Sequence, residues 1–173
     1  ALGGRGCAIA DIDADGDLDL YLANHYNGTT GFVDSRVLWG DPAMPWDITR
    51  TYAFPTAWAS RGTIADVDGN GFLDIVTPLA YGGSYTTSSR VYYRGATGVI
   101  LTDFFPTVGS YDVEVLDWNG DGRLDLFYGG HYNGTSYAIE NRLYMGADPR
   151  PPTSAPLVFP GQWNLEPAGN WYV

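Results

Sequence analysis

Three nine-residue stretches gather the oxygen-bearing side chains of this chain. They are residues 11–19 (DIDADGDLD), 66–74 (DVDGNGFLD) and 117–125 (DWNGDGRLD). Each places Asp or Asn at positions 1, 3, 5 and 9, and Gly at position 6. Carboxylates this close repel one another unless something positive sits between them. A hard cation does that best, and calcium takes six to eight oxygens in a flexible geometry. Such a loop can offer four side chains and the carbonyl of position 7. Gly16, Gly71 and Gly122 permit the sharp turn that wraps the chain around an ion. Soft ligands are missing from these stretches, which argues against zinc and copper. Magnesium prefers small, rigid octahedra that keep several waters. The helical twelve-residue calcium loop needs a bidentate Glu at position 12. That position holds Leu22, Thr77 and Tyr128, so this alternative is rejected.

The loops begin at Asp11, Asp66 and Asp117, 55 and 51 residues apart, and other landmarks keep step. Gly40, Gly95 and Gly146 each lie 21 residues after the last Asp of their loop. Phe54-Pro55 and Phe105-Pro106 each lie 11 residues before the next loop, and Phe159-Pro160 is a third copy of the pair. A period near 50 residues points to propeller blades or a similar repeated unit. Four short strands can be read in each period. The first strands are 7–10, 63–65 and 113–116. The second follow the loops, with apolar residues alternating at Leu18, Leu20 and Leu22, at Leu73 and Ile75, and at Leu124 and Leu126. The third are 36–39, 90–93 and 142–145, and the fourth 48–54, 99–105 and 157–159. The expected fold is therefore all-β: a β-propeller-type repeat of three four-stranded antiparallel blades, with a calcium loop between the first and second strands of each. Blade 1 spans 1–55, blade 2 spans 56–106 and blade 3 spans 107–160. Residues 161–173, with Trp163, Trp171 and Tyr172, look like a spare first strand, a possible connector between subunits.

Composition fits this picture. The 23 Gly and 11 Pro supply turns, and 45% hydrophobic residues supply a core. Net charge is -11, and 11 of the 20 acidic residues lie inside the three loops. That balance excludes nucleic-acid backbones as partners. No apolar run approaches the roughly 20 residues of a membrane span. Cys7 is the only cysteine, so no intrachain disulfide can form. The chain starts at Ala1 rather than Met and is expected to be a mature or trimmed segment of a longer product.

The loops, with the Leu-Asp-Leu or Leu-Asp-Ile that closes each, resemble the FG-GAP (VCBS-type) repeat. This is the calcium-bearing blade of integrin α-subunit propellers and of many bacterial secreted proteins. The resemblance covers residues 1–160. It implies calcium at Asp11, Asp13, Asp15 and Asp19; at Asp66, Asp68, Asn70 and Asp74; and at Asp117, Asn119, Asp121 and Asp125. It also implies carbonyl ligands from Asp17, Phe72 and Arg123. The Phe-Gly and Gly-Ala-Pro motifs that name the family are poorly kept, and three blades are fewer than the usual seven or so.

Two further motifs lie in the turns after the second strands. Asn27-Gly-Thr29 and Asn133-Gly-Thr135 fit the N-glycosylation pattern, although Asn-Gly is also an ordinary turn. Tyr26, Tyr81 and Tyr132 on the same turns could stack on sugar rings or pack between blades. No nucleophile–base arrangement, phosphate loop or CxxC is found, and no enzymatic activity is expected. Three blades cannot close a ring, since propellers use four to eight. The chain is thus expected to self-associate into an oligomer or filament, or to adjoin the blades of a larger propeller. The expected function is a calcium-stabilised extracellular structural or adhesion module whose partner is a glycan or a cell-surface protein. A lectin using the turn tyrosines is the second reading.

Overall fold

The computed structural model describes residues 4–25, 33–43, 49–56, 58–81, 87–136 and 139–161. Tyr26, Asn27, Ile48 and the 162–173 segment with Trp163, Trp171 and Tyr172 lie outside the described residues. Alternating apolar residues between Gly-rich turns make twelve strands and, among the described residues, no helix. Sheet one contains β1 (Gly4–Ala10), β2 (Asp19–Asn24), β3 (Ser35–Leu38) and β4 (Thr51–Phe54). Sheet two contains β5 (Thr63–Ala65), β6 (Asp74–Thr77), β7 (Ser89–Gly95) and β8 (Gly98–Phe105). Sheet three contains β9 (Ser110–Leu116), β10 (Asp125–Gly130), β11 (Asn141–Tyr144) and β12 (Leu157–Phe159). Each sheet pairs its four strands antiparallel in chain order. The chain is thus all-β, built of three propeller-like blades.

The blades stack face to face and bury two apolar clusters between them. Ile12, Tyr21, Val37 and Phe54 of blade 1 meet Ile75, Leu79 and Tyr92 of blade 2. Val67, Val76, Val91, Tyr93 and Phe105 of blade 2 meet Val113, Leu126, Tyr128 and Tyr144 of blade 3. First strands adjoin one another, β1 beside β5 and β5 beside β9, as at the axis of a propeller. Burying both faces of a central blade accounts for the buried run Asp74–Thr77 in β6.

The recurring Phe-Pro pairs have a mechanical role. Phe54 and Phe105 pair with Ser35 and Ser89, the first residues of β3 and β7. Each Phe meets a tyrosine of the next blade edge-on at 4.9 Å, Tyr92 and Tyr144 respectively. The Tyr92 hydroxyl donates to the Pro55 carbonyl at 2.6 Å, and the Tyr144 hydroxyl donates to that of Pro106. One residue on, Thr56 and Thr107 accept the backbone N–H of Ser35 and Ser89 at 2.8 and 3.2 Å. A Phe-Pro-Thr corner therefore locks its own sheet and offers a carbonyl to the next.

Candidate metal centres

The three loops share one hydrogen-bond frame. The position-1 carboxylate accepts the N–H groups of positions 5 and 6: Asp11 from Asp15 and Gly16, Asp66 from Asn70 and Gly71, Asp117 from Asp121 and Gly122. Position 3 accepts the N–H of position 5 in Asp13, Asp68 and Asn119. Position 5 accepts that of position 7, so Asp17 donates to Asp15, Phe72 to Asn70 and Arg123 to Asp121. These side-chain-to-backbone turns curl the chain and hold the oxygens on its inner side. Gly16, Gly71 and Gly122 have φ of +96°, +88° and +81°, as the turn requires. Position 4 is left-handed too, at Ala14 (+62°), Gly69 (+70°) and Gly120 (+74°). Glycine at position 4 of two loops was a readable signal for this second turn, obscured by alanine in the first.

Position 9 does different work. Asp19, Asp74 and Asp125 are fully buried where each second strand begins. One oxygen accepts the N–H of loop position 2, from Ile12, Val67 and Trp118 at 2.7, 2.8 and 2.7 Å. The other accepts an N–H just past or at the end of the third strand, from Gly40 at 2.7 Å, Arg94 at 2.8 Å and Gly146. The Gly landmarks follow from this. A Cβ on Gly40 would lie 2.5 Å from the Leu18 carbonyl oxygen, and one on Gly146 2.8 Å from that of Leu124. Blade 2 has a register shift between Tyr93 and Arg94, so Arg94 donates instead of Gly95.

Electrostatics separates the loops. Carboxylate oxygens of Asp11, Asp13 and Asp15 lie within 4.8 Å of one another, as do those of Asp66, Asp68 and Asp74. Burial, with the charges of Asp19 and Asp15, pushes the Asp13 carboxyl up. Desolvation and the surrounding acids, Asp15 first, raise Asp17 as well. Burial drives Asp74 up to about 6, with Asp68 and Asp66 adding to it against the hydrogen bonds from Arg94 and Val67. Loops one and two thus hold carboxylates under a cost that a cation would relieve, and their oxygen-only donor set suits a hard one. Loop three is balanced from within. The Asn119 amide donates to Asp121 at 3.0 Å and Arg123 approaches the same carboxylate at 3.7 Å. The Asn119 hydrogen bond, with Arg123, holds Asp121 below the usual carboxylate range.

Arg94 carried no signal in the sequence. Its guanidinium donates to the carbonyl of Ile12 in loop one, 82 residues away. Its N–H serves Asp74, and its carbonyl accepts the Asn70 amide at 2.8 Å, both in loop two. One buried arginine therefore ties the first loop to the second.

His25 stacks on Trp58 at 4.5 Å, and Tyr81 packs against the same indole at 4.8 Å. His131 packs on Tyr111 at 4.3 Å. Tyr132 donates to the Gly134 carbonyl at 2.7 Å. Asn133 is exposed, and its side-chain oxygen accepts the Thr135 N–H and hydroxyl, both at 3.0 Å.

Residues 11–77, from the first loop to the end of β6, match the family model described as an FG-GAP-like repeat. No curated protein matches the chain.

Proposed function

From a chain that carries an FG-GAP-type repeat, we propose a calcium-stabilised structural or adhesion module that works outside the cell and is completed by further blades. The repeat itself is a structural unit rather than a typical catalytic one. The observation that carries the reading is the loop frame, reproduced three times with its oxygens turned inward, and in loops one and two its acids are disfavoured by burial and by one another. Asp11, Asp13, Asp15 and Asp19 would hold the first ion, and Asp66, Asp68, Asn70 and Asp74 the second. Asp117, Asn119, Asp121 and Asp125 would hold a third, weaker one, since Arg123 already supplies positive charge there. Calcium, when bound, supplies the charge that cancels carboxylate repulsion. The protein's part is to fix the turn and tie position 9 to two backbone donors. Extracellular modules work with calcium sites of 10⁻⁴–10⁻³ M affinity, which suits shallow loops of this kind.

The test is thermal unfolding with calcium and with EDTA. At calcium tenfold above Kd, each site adds about 1.4 kcal/mol. Two or three sites then raise the melting point by roughly 10 °C in a domain of this size. An identical melt in EDTA refutes the calcium reading.

A further inference from the structure

Arg94 belongs to two loops at once. Its main chain serves loop two. The N–H donates to Asp74 at 2.8 Å, and the carbonyl accepts the Asn70 amide at 2.8 Å. Both partners are proposed ion ligands of that loop. Its side chain serves loop one, where the guanidinium donates to the Ile12 carbonyl. The N–H of Ile12 is held by Asp19 at 2.7 Å. Position 2 of loop one is thus gripped from both sides, once by its own blade and once by the next. Arg94 is 5% exposed, and its guanidinium lies over the Trp39 ring at 5.5 Å. A buried guanidinium stacked on an indole is fixed in plane, so its hold on Ile12 follows the position of its own backbone.

The bridge depends on residues that the other loops do not share. Position 5 is Asp in loops one and three, and a carboxylate cannot donate to a carbonyl. Asn70 can, so its amide nitrogen holds Arg94 while its oxygen accepts the Phe72 N–H. In blade 3 the donor to the buried Asp125 is Gly146, and Met145 precedes it. Neither has a side chain that could donate to a carbonyl of loop two. Among the described residues, loops two and three therefore have no bridge of this kind.

We infer that Arg94 is a positioning residue through which occupancy of loop two raises the calcium affinity of loop one, and the reverse. The inference rests on the calcium reading above. Fixing Asn70 and Asp74 as ligands fixes the Arg94 main chain between them, and with it the grip on Ile12. Linkage requires that the two sites gain by the same factor. The sign identifies the route. Two bound cations repel each other, and the Arg94 charge acts on Asp13 and Asp19 in competition with an ion there. Through space, then, the sites oppose one another, and a mutual gain must come from the bonded path.

Calorimetric calcium titration tests this, with Asp121→Ala in every protein to silence loop three. Asp68→Ala then leaves loop one alone, and Asp13→Ala leaves loop two alone. The overall association constant of the two-site protein should exceed the product of the two single-site constants about five-fold. Arg94→Met keeps the stem over Trp39 but loses the donor, and should abolish the excess while each site still binds. Asn70→Asp gives loop two the acid that loops one and three carry at position 5. It should tighten loop two measured alone, yet lower the excess, a split that a simple change of charge would not produce. No excess in the parent, or an excess that survives Arg94→Met, overturns the inference while the calcium reading stands. If Arg94→Met does not fold, an excess unchanged by Asn70→Asp overturns it equally. No calcium binding in any of these proteins removes the calcium reading, and this inference with it.

Discussion

Asp13 and Asp19 occupy the same loop, yet removing them should have opposite consequences in the absence of calcium. Asp19 is fully buried and accepts the N–H groups of Ile12 and Gly40, each at 2.7 Å. Asp19→Ala strands both donors, and a buried unsatisfied group costs about 1–3 kcal/mol, so the pair amounts to about 4 kcal/mol. In a domain of 150–250 residues that lowers the melting point by roughly 12 °C. Asp13 is exposed and accepts one long bond of 3.3 Å from the Asp15 N–H. Its carboxyl is already disfavoured by partial desolvation within the loop and by the charges of Asp19 and Asp15. Asp13→Ala should therefore leave the EDTA melt unchanged or slightly raised. It should remove the gain at one site in calcium, about 1.4 kcal/mol at tenfold excess over Kd. Melting both variants with EDTA and with calcium separates the two roles. The division between scaffold and ligand acid fails if Asp19→Ala melts like wild type in EDTA, or if Asp13→Ala falls as far as Asp19→Ala there.

Ala14 sits at φ +62° where the other loops have glycine. The left-handed penalty of roughly 1–2 kcal/mol exceeds the 0.5–1 kcal/mol entropic cost of glycine, so Ala14→Gly should stabilise by about 0.5–1 kcal/mol. Gly69→Ala and Gly120→Ala should cost about as much, and urea titration would read all three. Burial, aided by Arg5, lowers His25 to about 4, so the fold favours the neutral ring. Stability should be complete above pH 6.5 and fall by about 3 kcal/mol toward pH 4. His25→Phe, which keeps a ring on Trp58, should flatten that slope in pH-dependent denaturation. Asp74 behaves oppositely, because a raised carboxyl favours the protonated fold. Its contribution to the calcium-free protein is present below about pH 4 and lost, by about 3 kcal/mol, as pH rises through 6. Calcium binding near pH 5.5 should consequently release a proton, seen by calorimetry in buffers of different ionisation heat and abolished by Asp74→Asn.

What the sequence made legible was local. Oxygen spacing located the loops, and alternation located the strands to within a few residues, as at 63–65 and 157–159, found as Thr63–Ala65 and Leu157–Phe159. Those signals come from neighbours in the chain. The unequal duties of the loop acids were not legible, because Asp19 and Asp13 are the same residue type and only burial separates them. The Phe-Pro pairs could be counted, but their use as carbonyl acceptors for Tyr92 and Tyr144 depends on which blade stands opposite. Arg94 is the extreme case, since its partner Ile12 lies 82 residues away. Arg123 was visible at position 7 of its loop and was read there only as a carbonyl. Its side chain and the Asn119 amide are what distinguish the third loop from the other two.

Position 2 joins the ion loops to the blade contacts. The N–H groups of Ile12 and Val67 are held by buried position-9 carboxylates, while their side chains lie in the inter-blade clusters. Whatever fixes the loop therefore fixes a side chain at the contact between blades. At the third loop the same construction holds the backbone of Trp118, whose side chain is 58% exposed. The loops sit where they can set the geometry of the contact each blade makes with the next. A loop whose second residue is an interface residue would link ion occupancy to the fit between blades.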